Sequence, residues 1–233
     1  MKLLLENWRK YLQENLTMNE ISNFSDILND KIITLLFEPS TIAFLNKQPE
    51  ENEATTIINA DKPFAFHDTI KEIHLGISTN DKGQGVVGAQ YLCLSDRTQS
   101  NLVITIDIPR HYNQLEEFKE WLEAELDDAL AHELQHSCDP TDMLSDDIPE
   151  GEAKWESIEN LYKHFASEAE TRAHITGILG GTRKSGQNPE EIIQSKISLI
   201  YHEAIDRGLT KNGLPEVLQN IWEKWMQELD RRT

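Results

Sequence analysis

The pentad His132-Glu133-Leu134-Gln135-His136 constrains this chain more than any other segment. On a helix its two histidines stand four residues apart, so their rings leave one face a turn apart and can hold a single metal ion. Glu133 lies about 100° round the same helix. From there its carboxylate can reach a water in the ion's open position, where a general base must sit. A five-residue pattern also arises by chance, so its surroundings carry the weight. They are helical: across 113–138, Phe118, Leu122, Leu126, Leu130 and Leu134 recur every four residues, a stripe that predicts burial against a core. The histidines fall at the edge of that stripe, half sheltered and half reachable, with Trp121, Glu125 and Asp128 on their own face. Asp139-Pro140 is expected to stop the helix.

A catalytic zinc ion takes three protein ligands and keeps one position open, so a third donor is required. In the segment Phe165-Ala166-Ser167-Glu168-Ala169-Glu170-Thr171-Arg172-Ala173, Ser167 followed three residues later by Glu170 reads as a capping box that starts a helix at Glu168. Such a box gives Glu170 a duty to the backbone and leaves Glu168 for the metal. Glu170 takes that place if the helix begins earlier. Asp142, six positions after His136, is the alternative at short spacing. There the chain must turn back sharply, and Asp139-Pro140 stands where a glycine would ease the turn. His164 is a further option, better suited to orienting a substrate.

The pentad together with Ser167-Glu168-Ala169-Glu170-Thr171-Arg172-Ala173 resembles zincin metallopeptidases of the gluzincin type, whose third ligand is a glutamate on a later helix. More narrowly it resembles the small metallopeptidase-like proteins of tailed phages. The resemblance covers roughly residues 70–180. It implies a zinc-dependent peptidase with His132, His136 and Glu168 as ligands and Glu133 as acid/base. Many gluzincins carry Asp or Asn four residues after the ligand glutamate; here Arg172 stands at that position relative to Glu168, so a partner for a ligand histidine must come from elsewhere.

The expected architecture is α+β and zincin-like: a small antiparallel sheet leading into the metal-binding helix, with further helices at both ends. Residues 70–78, 86–95 and 101–108 are rich in Ile, Val, Leu and Tyr and are separated by turn-forming segments, which predicts three antiparallel strands. Val87 to Tyr91 is the expected edge that pairs with an extended substrate; an ordinary buried strand with a glycine bulge is the alternative. Three regions are expected: a helical segment and acidic connector over 1–62, a catalytic core over 63–181, and helices over 182–233 packing on the core. Residues 2–16 predict an amphipathic helix, too short and charged to span a membrane and unlike a secretory signal. Residues 17–46 read as helical with a break at Pro39, and Asn188-Pro189-Glu190-Glu191 starts a later helix.

The 233-residue chain carries a formal charge of −19, which argues against nucleic acid or an anionic membrane as a partner. Two cysteines, Cys93 and Cys138, do not make a disulfide scaffold. The resemblance implies a protein or peptide substrate as the partner, and the expected setting is the cytoplasm, that of a host cell for a phage-encoded chain, or a virion. In the implied mechanism the zinc ion brings the pKa of a bound water towards about 7. Glu133 takes the water's proton and returns it to the leaving amine. Tyr162 and His164 are the nearest donors for the oxyanion, with Tyr112, His111 and His174 as alternatives. A non-hydrolytic, metal-binding phage structural or host-interaction protein is the competing reading.

Overall fold

The computed structural model describes residues 18–47, 54–58, 70–81, 83–93, 100–115, 117–137, 157–209 and 212–233. Elements α1 (Met18–Leu36), α2 (Pro39–Leu45), β1 (Ala54–Ile58), β2 (Ile70–Asn80), β3 (Val86–Cys93) and β4 (Ser100–Pro109) lead through a short 3-10 turn at Tyr112–Gln114 into α3 (Phe118–Ser137). Then follow α4 (Ile158–Ala166), α5 (Glu168–Ser185), α6 (Pro189–Asp206) and α7 (Leu214–Arg232). The class is α+β. Asp142, Cys138 and the expected helix over 2–16 lie outside the described residues.

The four described strands form one sheet in the order β1-β2-β4-β3. Two details differ from the expected antiparallel trio. β1 falls within the segment expected to be a connector, and β2 runs parallel to β4 while β3 runs antiparallel to β4. The parallel pairing arises because β4 inserts between β2 and β3, so the chain passes out to the sheet edge as β3 and returns. Asp107 on β4 fastens this arrangement: its carboxylate accepts from Ser78 Oγ at 2.7 Å and Asn80 Nδ2 at 2.7 Å, both on β2. Ile73, Leu75 and Ile77 alternate along β2, as do Leu102, Ile104, Ile106 and Ile108 along β4, and all are buried. This is the period-2 pattern of a sheet with one face on a core.

The leucine stripe of α3 buries as its spacing requires: Leu122, Leu126, Leu130 and Leu134 are fully covered against the sheet and against Phe24, Leu28 and Ile32 of α1. A second apolar cluster joins α4, α5, α6 and α7 around Leu161, Ile175, Ile178, Ile193, Ile221 and Trp225. Helix α5 belongs to both halves. Its apolar residues face the second cluster, and its glycines face α3. It also runs past position 181, the expected end of the catalytic core, to Ser185.

Polar ties hold α1, α3 and α5 together. The buried Asp127 accepts hydrogen bonds from Ser25 Oγ and, at 3.0 Å, from Arg183 Nη2. Burial pushes the Asp127 carboxyl up, and Ser25 and Arg183 oppose that shift. Asn29 Nδ2 donates to the Glu123 carbonyl at 2.7 Å. No helix among the described residues is long and apolar enough to cross a membrane.

Candidate metal centre

Two helices build the centre, each with a pair of donors spaced i, i+4. On α3 the pair is His132 and His136; on α5 it is Glu170 and His174. What brings the pairs together is the absence of side chains on α5. A Cβ at Gly177 would lie 2.3 Å from Asp128 Oδ1, 2.6 Å from the Asp128 carbonyl oxygen and 3.2 Å from His132 Cβ. At Gly181 it would lie 3.1 Å from the Ala124 carbonyl oxygen. Residues 170, 174, 177 and 181 share one helical face, so the face that permits close approach also carries the donors. Because backbone is what a methyl group at 177 would meet, the helices must move apart to admit it. Gly177→Ala is therefore expected to destabilise the protein by about 1–3 kcal/mol and to weaken metal binding together with it. Urea unfolding and a metal titration on the same preparation check this; unchanged values for both would refute the close-approach argument.

The donor atoms are spaced for one ion. His132 Nε2 and His136 Nε2 are 3.1 Å apart, and Glu170 Oε2 lies 3.5 Å from the first and 3.6 Å from the second. Ligands about 2.0–2.1 Å from a tetrahedral zinc stand about 3.4 Å from one another. Two imidazoles and a carboxylate are also the donor chemistry that zinc accepts, so the residues present fit such an ion. The three side chains are sheltered, with 16%, 17% and 9% of their surface exposed for His132, His136 and Glu170. Burial pushes the Glu170 carboxyl up, but hydrogen bonding and charge from His132 and His136 outweigh it and hold the group well below the usual carboxylate range. An ionised carboxylate is the form that binds metal.

Glu168, the expected third ligand, is elsewhere. Its side chain is 77% exposed and its Oε1 lies 3.4 Å from Arg172 Nη1 on the solvent side of α5. The helix does begin at Glu168, and Ser167 does cap it, its Oγ accepting from the Glu170 backbone N–H at 3.2 Å. The cap uses only the main chain of Glu170, however. Its side chain follows the face set by packing, and Glu168, two residues back, points about 200° away. With Glu170 in the cluster, the residue four positions on is His174, not Arg172. Glu170 and His174 repeat the i, i+4 donor spacing of His132 and His136, and that repeat is present in the sequence.

Around these donors stand further groups. His164 on α4 lies with Nδ1 3.5 Å from Glu170 Oε1, on the oxygen turned away from the α3 histidines. His174 packs its ring 4.5 Å from that of His132 and 4.4 Å from that of Trp225. Burial, then the nearby His132, hold the His174 imidazole well below its ordinary value, against the pull of Glu170. Tyr162 is not gathered into the cluster: it packs with the second apolar core, and Lys224 Nζ stands 5.4 Å from its ring centroid. Of the other donors considered, Tyr112 is buried, with its hydroxyl on the Leu36 carbonyl and its phenol pushed up to about 12 by burial. His111 is exposed, its backbone N–H donating to Asn46 Oδ1 at 3.0 Å. Asp128, one turn before His132, pairs with Lys196 Nζ at 2.6 Å.

Glu133 connects the pentad to the sheet. Its Oε2 accepts from the Tyr91 backbone N–H at 2.8 Å, and its Oε1 lies 3.9 Å from His132 Nε2. β3 is an edge strand of the described sheet, and a Tyr91 N–H engaged by Glu133 faces away from β4. Alternation along an antiparallel strand then turns the main-chain groups of Val87 and Ala89 the same way, towards the open edge. In comparisons with known proteins, no family model, no curated protein and no solved structure matches the chain.

Proposed function

We propose that this protein is a metal-dependent peptidase of zincin-like architecture, with zinc held by His132, His136 and Glu170 and with Glu133 as general base. The observation that carries the proposal is the near-equal spacing of three donor atoms, 3.1, 3.5 and 3.6 Å, beside a carboxylate that belongs to the same pentad and is not one of the three. A structural metal site has no use for that fourth group; a hydrolytic one requires it.

When bound, the ion supplies Lewis acidity and makes a coordinated water acidic near neutral pH. The chain's own residues do the rest. Glu133 accepts the water's proton and delivers it to the leaving amine. The Tyr91 N–H, held on Oε2, fixes the carboxylate's direction and leaves Oε1 on the side of His132. Val87 and Ala89 offer main-chain donors and acceptors to an extended peptide along β3, which aligns it with the pentad. His164, with Nδ1 3.5 Å from the outer oxygen of Glu170, stands where it can orient that carboxylate. Tyr162 takes no part in this scheme. The charge of −19 favours substrates with basic or neutral surfaces over polyanions.

Two measurements on the intact chain test the proposal. Elemental analysis of protein prepared without chelators is expected to return about one zinc per chain. Cleavage of an unfolded protein substrate should stop on chelation and return with added zinc. Absence of transition metal both as isolated and after zinc addition rejects the metal site; bound metal without cleavage of any unfolded substrate favours the non-catalytic, partner-binding reading.

A further inference from the structure

We infer that His174 is a fourth protein ligand of the same ion, through Nε2, so that the centre is a three-histidine, one-carboxylate site. The inference rests on the metal-site reading above and extends it. Nε2 of His174 is buried and has no hydrogen-bond partner. It lies 3.9 Å from Glu170 Oε2, too far for a hydrogen bond. The ligand atoms of His132, Glu170 and His174 all lie within 4.8 Å of one another. Neighbouring ligands of one tetrahedral zinc ion stand about 3.4 Å apart, so bringing all three into one sphere takes a closure of up to about 1.4 Å.

A buried polar atom without a partner is costly, and here that atom stands 3.9 Å from Glu170 Oε2, one of the candidate ligand atoms. The ring is also fixed in place. Trp225 stacks on it at 4.4 Å with planes 33° apart, Phe165 lies against it at 5.4 Å, and Trp225 is itself anchored by its indole N–H on the Phe165 carbonyl at 2.9 Å. The i, i+4 spacing from Glu170 places the two donors one turn apart on α5, as His132 and His136 are on α3.

Four protein donors change what the site does. A strictly tetrahedral ion would have no position left for water, so hydrolysis with all four donors bound would need a further coordination position, which zinc can supply. The resting site is then more closed than one with three protein ligands.

The test reads ligation and not activity. The parent protein loaded with NMR-active cadmium should show scalar coupling from the metal to the ring protons of His174, alongside His132 and His136. His174→Phe keeps a ring in the Trp225 stack. It should lower zinc affinity by more than the roughly 100-fold that changes outside the coordination sphere cost, and should intensify the visible bands of the cobalt-substituted protein as the coordination number drops. Coupling to His132 and His136 with none to His174, or a lower affinity with an unchanged cobalt spectrum, overturns the inference while leaving the metal site in place. A parent chain that binds neither zinc nor cadmium overturns the underlying reading instead. The cadmium measurement needs no variant, so a folding defect in His174→Phe does not remove the test.

Discussion

Glu133→Gln is expected to keep its metal and to lose hydrolysis by roughly 10²- to 10⁴-fold, the range that a general base contributes. Glutamine matches glutamate in size and retains a side-chain oxygen that can accept the Tyr91 N–H, the bond that ties α3 to β3 at 2.8 Å in the parent. Helix and strand therefore stay where they are, and zinc affinity should remain within a few-fold of the parent's. What the amide lacks is the basic oxygen that takes a proton from water. Steady-state cleavage rates and a metal titration on one preparation separate the two effects. A variant that cleaves within threefold of the parent would show that Glu133 is not the base; a variant that loses metal as well would show that the glutamate has been placed in the wrong role.

Glu170→Ala should abolish tight zinc binding, whereas Glu168→Ala should leave it intact. The two residues are two positions, about 200° of helix, apart, and their surroundings are opposite. Glu170 sits 3.5 and 3.6 Å from the two α3 histidines with 9% of its side chain exposed; Glu168 is 77% exposed and meets Arg172. Removing Glu170 takes away a proposed ligand, and the loss of affinity should exceed the roughly 100-fold typical of outer-sphere changes. Removing Glu168 deletes an exposed i, i+4 ion pair, for which about 0.3–0.5 kcal/mol is the usual contribution. Competition titrations with a chelator of known affinity measure the first, and urea unfolding the second. Metal loss from Glu168→Ala with Glu170→Ala indifferent would reverse the ligand assignment.

The difference between these two glutamates shows where local reasoning stops. The serine cap at Ser167 was legible because a cap depends on residues within one turn, and its bond to the Glu170 N–H is present at 3.2 Å. Assigning the Glu170 side chain to that cap as well did not follow, because a carboxylate among buried histidines has stronger partners than an exposed helix terminus offers. His164, expected to orient a substrate, lies 3.5 Å from Glu170. Tyr162, only two positions away, faces the second core, since two residues along a helix point about 200° apart. No boundary error was involved there: without knowing which face of α4 packs on α7, the sequence offers both residues equally.

From the sequence alone came the features set by short-range periodicity. These are the pentad on one helical face, the leucine stripe that buries beneath it, the caps at Ser167 and Asn188, the approximate positions of β2, β3 and β4, and the α+β class. Each depends on spacings of two, three or four residues, which local stereochemistry enforces wherever the segment ends up. The tertiary structure decided the parallel pairing of β2 with β4, the addition of β1, and above all the choice of Glu170 and the arrival of His174 beside His132. Those follow from the rotation and depth at which α5 meets α3, which Gly177 sets through its contact with the Asp128 backbone. Contact between residues roughly forty positions apart leaves no periodic trace in the chain, so only the packed helices reveal which side chains gather at the candidate site.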